Sequence, residues 1–188
     1  HINSEGFLSG VISEGGANAL RKMDPGAWTL SGANTFTGKV VIADGKLITG
    51  TVDAIPPENS VTIEGGIYDL NGLSITNGPL SISGGSIENG TLTANSVNLT
   101  GGSISATLAG NGDVTKSGSG TTALSSSNLY GGATAITAGT LRFTQRSALY
   151  NGNTSEWTSE NISVSSGATM YLNTGGSGEF TDIDVALL

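Results

Sequence analysis

The chain has 188 residues, a formal net charge of −8 and no cysteine, and glycine supplies 30 of its residues. An acidic surface repels phosphate backbones and anionic membranes, which argues against a nucleic-acid-binding protein, and the lack of cysteine excludes disulfides and thiolate metal sites. No apolar run reaches the roughly 20 residues that a membrane helix needs, so we expect no membrane insertion.

Short strands are predicted along the whole chain, because apolar residues come in pairs two positions apart. Such alternation places both side chains of a pair on one face of a strand. Gly-Gly, Asn-Gly and Ser-Gly dipeptides separate the pairs, and these residues tolerate the positive φ of tight turns. In chain order the pairs are Val40/Ile42, Val61/Ile63, Tyr68/Leu70, Leu73/Ile75, Leu80/Ile82, Val97/Leu99, Leu141/Phe143, Ile162/Val164 and Met170/Leu172.

A short repeat indicates the length of one coil. The segment Ser83–Ile87 reappears as Thr100–Ile104, 17 positions later. That distance is typical of a β-solenoid, in which short strands joined by turns wind around a narrow core. A β-sandwich is the alternative fold, but it would show longer strands and more aromatic residues than are present here.

A longer repeat divides the chain into two units, predicted at residues 1–94 and 95–188. Residues 20–47 align without a gap with residues 114–141, so that Lys22 matches Lys116 and Asn34 matches Asn128. Further along, the second unit carries about seven extra residues near 151–160. We expect that insertion to form a surface loop between strands.

The aligned segments resemble the autotransporter-associated β-strand repeat. The similarity lies in Lys22, in Gly26–Gly38 and in Ala43–Leu47, and it recurs in residues 116–141. The resemblance implies the passenger region of a large exported bacterial surface protein, folded as a parallel β-helix, and it brings no catalytic residues with it. We therefore predict an all-β, parallel β-helix (β-solenoid), expected to be right-handed, with short strands and Gly/Asn-rich turns.

Residues that could carry chemistry are few. The only histidine is His1, so a histidine-based triad or a zinc site has almost no material. Asp182 and Asp184 are the one pair of acids at a two-residue spacing, and they more simply form the solvated face of a terminal strand or short helix. Lys22 and Lys116 lack the phosphate-loop pattern, so a structural role is expected, with the ammonium reaching carbonyls or solvent. No catalytic residue, metal site or cofactor is predicted.

Three aromatic residues are candidate stacking platforms for sugars, and filling of the core or of turns is the simpler alternative. They are Trp28, Phe36 and Tyr130.

The function predicted from the sequence is therefore structural or adhesive, without catalysis, in a secreted protein at the bacterial cell surface or in an extracellular fibre. The expected partners are adjoining repeats of the same polypeptide or further copies stacked end to end, with host or matrix glycans as another option. A carbohydrate-binding or polysaccharide-cleaving β-helix is the alternative. Because the chain starts at His1 rather than Met, either a leader has been removed or the sequence is a piece of a longer one. No capping helix is evident, so we expect both ends of the solenoid to be open.

Overall fold

A computed structural model describes residues 5–13 and 20–188 and confirms the predicted parallel β-solenoid. Short strands, numbered along the chain, stack into three parallel sheets, because each coil adds its strands to those of the coil before it. His1 lies outside the described residues. The handedness of the coil and the division at residue 94 stay predictions.

Sheet A contains nine strands among the described residues and runs the length of the solenoid. Its strands, in spatial order, are β1 (Gly6–Leu8), β3 (Ala27–Leu30), β5 (Lys46–Thr49), β7 (Ile67–Asp69), β10 (Ser86–Glu88), β13 (Ser103–Ile104), β16 (Thr121–Leu124), β19 (Thr140–Phe143) and β21 (Thr169–Leu172).

Sheet B contributes eight strands over the same described ranges. They are β2 (Leu20–Lys22), β4 (Val40–Ile42), β6 (Val61–Ile63), β9 (Leu80–Ile82), β12 (Ser96–Leu99), β15 (Asp113–Lys116), β18 (Thr134–Ile136) and β20 (Ile162–Val164).

Sheet C is shorter and occupies the middle of the solenoid, with four strands in the part of the chain that the structure describes. They are β8 (Ser74–Asn77), β11 (Thr91–Ala94), β14 (Thr107–Gly110) and β17 (Leu129–Tyr130).

The register confirms a coil of 17 residues at the short repeat, whereas coils elsewhere are longer, such as the 21 residues from Leu47 to its partner Tyr68. Ile87 pairs with Ile104, and these are the equivalent isoleucines of the two repeated segments. Val97 pairs with Val114 at the same spacing along the chain. Because equivalent residues stack directly, the apolar pairs form continuous columns inside the solenoid. One such column is Leu47, Tyr68, Ile87, Ile104, Leu124 and Phe143, all buried.

The insertion in the second unit lies between β18 and β20. Thr134 pairs with Ile162 across it, whereas Val40 pairs with Val61 in the matching, shorter coil of the first unit. The insertion is more than a surface loop, because it forms short 3₁₀ turns and buries Tyr150 and Trp157 in the core. The turns are Arg146–Ala148, Tyr150–Gly152 and Thr154–Glu156.

A short helix, α1 (Asp182–Val185), lies near the C-terminal end, where we expected no capping helix. Phe180, just before it, is buried against Trp157, with ring centroids 5.7 Å apart. The Arg146 guanidinium contacts both the Trp157 ring and the Asp184 carboxylate, which ties α1 to the coil beneath. No helix among the described residues is both long enough and apolar enough to cross a membrane.

Candidate functional site

The two repeat-matched lysines lie inside the solenoid, in an inward column that is otherwise apolar. Lys22 pairs with Ile42, and Lys116 pairs with Leu99 and Ile136, all in sheet B. The exposures of the two lysines are only 4% and 0%. Such burial of an ammonium is costly unless hydrogen bonds replace water.

Backbone carbonyls supply those hydrogen bonds. Lys116 Nζ donates to the carbonyls of Ser117 at 2.7 Å, Gly118 at 2.8 Å and Ala138 at 3.2 Å. Lys22 Nζ donates to the carbonyls of Asp24 and Asp44. Each lysine therefore joins its own coil to the next one, which confirms the expected structural role. We call this arrangement the lysine latch.

Burial lowers the pKa of both lysines, because an apolar environment disfavours the charged form. At Lys22 the negative charges of Asp24 and Asp44 oppose that shift. The direction of the shift is the same in both copies.

A matched pair of asparagines forms a second connection, the asparagine latch, which the sequence comparison aligned without assigning a role. Asn34 accepts from the backbone N–H of Ile12 at 2.7 Å and donates to the carbonyl of Ala54 at 2.7 Å. Each amide thus bridges the coil before it and the coil after it. Asn128 makes the equivalent bonds, accepting from Leu108 N–H at 2.9 Å and donating to Ala148 O at 2.8 Å.

Replacing Lys116 by methionine is expected to destabilise the chain by about 3 kcal/mol, because three inward carbonyls lose their donor while little volume changes. Lys39→Met is the control, since Lys39 is exposed. Urea unfolding followed by circular dichroism measures both. Equal midpoints for the two variants would show that the carbonyl bonds contribute nothing.

Two acidic residues form ion pairs that connect coils. Lys46 Nζ contacts Asp69 at 3.0 Å and Glu88 at 2.6 Å, which links three successive coils. The hydrogen bonds with Glu88 and Asp69 raise the pKa of Lys46. Burial would raise the pKa of Asp69, but hydrogen bonds from the Asn71 backbone, Lys46 and Asn89 outweigh it and lower that pKa.

The Asp182 and Asp184 pair does not form one solvated face. Asp182 is exposed, whereas Asp184 is buried and caps α1 through Thr181. The Thr181 backbone N–H, followed by the Arg146 guanidinium, holds the pKa of Asp184 below its usual value. Within residues 5–13 and 20–188, no three His, Cys, Asp or Glu side chains are grouped as metal ligands would be.

The three candidate stacking residues do not come together. Phe36 and Tyr130 are only 5% and 3% exposed, so most of each ring lies in the core. Trp28 is partly buried and packs against the core, with Gly6 of the adjoining strand directly against its ring. Trp28 lies in β3, and Tyr130 lies in β17, in the same coil as β16. The two coils are five strand spacings apart in sheet A, about 24 Å along the axis.

Two cavities of the described residues contain a predicted residue: Trp28 lines one of about 70 Å³ together with Lys22 and Leu30, and Tyr130 lines a larger groove. The larger groove has a volume of about 320 Å³ and lies where sheet C ends at β17, beside the insertion. We call it the insertion groove, and it is lined by Leu129, Tyr130, Gly131, Tyr150, Asn151, Asn153 and Glu156.

Comparison with known proteins agrees with the repeat seen in the sequence and structure. Residues 20–48 and 114–143 each match the passenger-associated-transport-repeat family, so two segments of the chain are similar to that repeat. The first copy spans β2 to β5 and the second includes most of β15 to β19. Each match contains one lysine latch and one asparagine latch.

A relative is the Adhesin BmaC autotransporter of Brucella suis biovar 1 (strain 1330). It is 41% identical over 56 residues, which cover 29% of this chain and 2% of the relative. The chain therefore matches a very small part of that protein's length. No solved structure matches the chain.

Proposed function

We propose that this chain is a non-catalytic, adhesive segment of an exported bacterial surface protein, in which the solenoid forms a rigid stalk. The two segments similar to the passenger-associated transport repeat and the likeness to part of an autotransporter adhesin support this proposal. A solenoid suits a stalk because every coil contacts only its neighbours and exposes a long lateral surface.

The single observation that carries the proposal is the direction of the repeated polar side chains. In both copies the lysine and the asparagine point into the solenoid and bond to the backbone of neighbouring coils. Catalytic groups must reach a substrate, whereas these groups hold coils together. The polar residues that recur in the two copies therefore serve to hold the solenoid together.

Adhesion is tested by coating beads with the purified chain and counting beads retained on epithelial cells and on extracellular-matrix proteins under flow. We expect retention above that of beads coated with heat-unfolded chain. A reducing-sugar assay on neutral and acidic polysaccharides is expected to remain at the blank. Release of reducing ends would instead favour a polysaccharide-cleaving β-helix.

The ends of the solenoid support a proposal about partners. Among the described residues, β20 and β21 each pair with one strand only, and so do β1 and β2. Unpaired edges of this kind recruit further strands. We propose that adjoining coils of a longer polypeptide cover them, and that end-to-end copies are the alternative. Electron microscopy of the purified chain separates the two, since filaments would favour stacked copies.

A further inference from the structure

We infer that the insertion groove is a binding site for a neutral saccharide of one or two sugar units. The inference names a ligand for the adhesive function proposed above and rests on it. Its volume of about 320 Å³ lies at the lower end of the range for small-ligand pockets. The groove belongs to the second copy, because it depends on the insertion there.

The floor of the groove is aromatic and rigid. The Tyr130 and Tyr150 rings lie 4.9 Å apart, and both hydroxyls bond to Thr134 Oγ1 within the core. Tyr150 also contacts the carbonyls of Gly132 and Asn161, each at 3.0 Å. With their hydroxyls fixed inward and only 3% and 4% of their surfaces exposed, the rings are a rigid apolar base beneath the groove, and the exposed contact surface is left to the walls.

The walls combine one exposed apolar side chain with polar groups. Leu129 is 57% exposed, although it lies in a strand beside the core. Asn151 and Asn153 are exposed. Glu156 accepts from the Asn161 amide through Oε2 at 2.8 Å, and a carboxylate has further lone pairs for other donors. An apolar wall with amides and a carboxylate matches the alternating C–H faces and hydroxyls of a pyranose.

Backbone strain concentrates at the same place. Tyr150 and Asn151 have φ of 48° and 51°, and Gly152 follows at 70°. A bulky residue such as tyrosine rarely adopts positive φ, and strain of this kind is typical of ligand sites. At the equivalent corner of the first copy, which the structure describes, Pro56 stands in place of Tyr150 and φ is not positive. The match follows from the asparagine latches, because each of these residues lies two positions after the carbonyl that accepts from the latch.

Charge selects among saccharides. Glu156 lines the groove, Asp113 is close enough to influence Tyr150, and the chain carries a net charge of −8. Anionic sugars such as sialic or uronic acids are therefore repelled, and neutral hexoses or N-acetylhexosamines are favoured.

Saturation-transfer NMR with methyl mannoside, methyl galactoside and N-acetylglucosamine, alongside sialyllactose, tests the site, and a glycan array extends the search. We expect transfer to at least one neutral sugar and none to sialyllactose. Asn151→Gly is the decisive variant, because glycine keeps the positive φ while the amide is lost. It is expected to weaken sugar binding at least tenfold without lowering the melting temperature.

Asn71→Gly is the matched control, since Asn71 also has positive φ, at 53°, but lies in the first copy away from the groove. It is expected to bind sugar as the unmodified chain does. The absence of saturation transfer to every neutral sugar, or unchanged sugar binding by Asn151→Gly, would overturn the inference. Bead adhesion that persists in Asn151→Gly would do the same while leaving the proposed adhesive function intact.

Discussion

Replacing Gly139 by alanine is expected to destabilise the chain by about 4 kcal/mol, a loss that few single substitutions reach. Gly139 has φ of 65°, which costs about 1 kcal/mol for a residue with a Cβ. Most of the expected loss of stability comes from steric collision of the added Cβ with its neighbours. An added Cβ would lie 2.5 Å from the Gly120 carbonyl oxygen, 2.8 Å from Lys116 Nζ and closer still to the Gly118 oxygen.

The collision also disturbs the lysine latch. The Gly118 carbonyl is one of the three that Lys116 holds, so moving it aside also breaks a buried, charge-assisted hydrogen bond. Gly45 has the same relation to Lys22 in the first copy, with φ of 64° and a Cβ position 2.5 Å from Nζ. The recurrence of glycine at both positions therefore follows from the positive φ and from the close approach of the carbonyls around the lysine.

Gly72→Ala isolates the conformational share, because Gly72 has φ of 76° and nothing within 4 Å of an added Cβ. Urea unfolding of both variants is expected to give a Gly72→Ala loss of about 1 kcal/mol and a Gly139→Ala loss several times larger. If both variants lost the same free energy of unfolding, the backbone beside Lys116 would move aside without an energetic cost. The carbonyl hydrogen bonds of the lysine latch would then contribute less to stability than their distances indicate.

The architecture could be predicted from the sequence because a solenoid repeats a local rule. A pair such as Val97 and Leu99 specifies a strand and its inward face, and the equivalent positions one coil later, Val114 and Lys116, specify the stacking partner. No long-range contact has to be guessed when each coil meets only its neighbours. The role of Lys116 could be predicted for a similar reason, since its position in the repeat placed it beside glycine-rich turns.

The insertion and the candidate site could not be predicted in the same way. Residues 151–160 occur once and Tyr150 is matched by a proline, so no second copy indicated that Tyr150 and Trp157 turn inward while Asn151 stays exposed. Tyr130 packs against Tyr150 of the next coil, with ring centroids 4.9 Å apart, and Tyr150 lies directly before the unmatched segment. One signal was available for the asparagine latch, because a polar residue repeated at a corner between apolar strands indicates a buried hydrogen bond.

Stability is expected to fall steeply above about pH 10, because three tyrosines are buried and must stay protonated in the folded state. They are Tyr68, Tyr130 and Tyr150, with exposures of 0%, 3% and 4%. Burial raises the pKa of all three above that of an exposed phenol. Tyr68 donates to the Asn77 side chain at 3.1 Å, and a phenolate there would face that amide oxygen.

The sign follows from which state loses protons first. An unfolded tyrosine ionises near pH 10, whereas the folded ones hold their protons to higher pH, so rising pH stabilises the unfolded state relative to the folded state. The stabilisation from burial of the neutral phenols is complete below about pH 10 and decreases until the folded pKa is reached. At about pH 11 the deeply buried Tyr68 and Tyr130 each cost roughly 1.4 kcal/mol, or about 3 kcal/mol together, and Tyr150 adds to the loss in the same direction.

Three lysines also affect how stability changes with pH, the two buried ones over a narrower pH range than the tyrosines. The pKa of Lys22 and of Lys116 is lowered by burial, so the folded state releases those protons first and gains stability with rising pH. That gain ends near about pH 10.5, where unfolded lysine also deprotonates, whereas the tyrosine loss continues to grow. Lys46, whose pKa is raised, adds to the loss.

Urea unfolding from about pH 8 to about pH 11 measures the slope, and tyrosinate absorbance shows whether ionisation coincides with unfolding. Tyr68→Phe is expected to reduce the alkaline loss by up to about a half, because one of the two most deeply buried phenols no longer titrates. Tyr171→Phe, at a half-exposed side chain, is expected to leave the slope unchanged. If the stability of Tyr68→Phe changes with pH as that of the unmodified chain does, the buried phenols do not control alkaline unfolding. Tyr68 would then ionise inside the folded core without destabilising it.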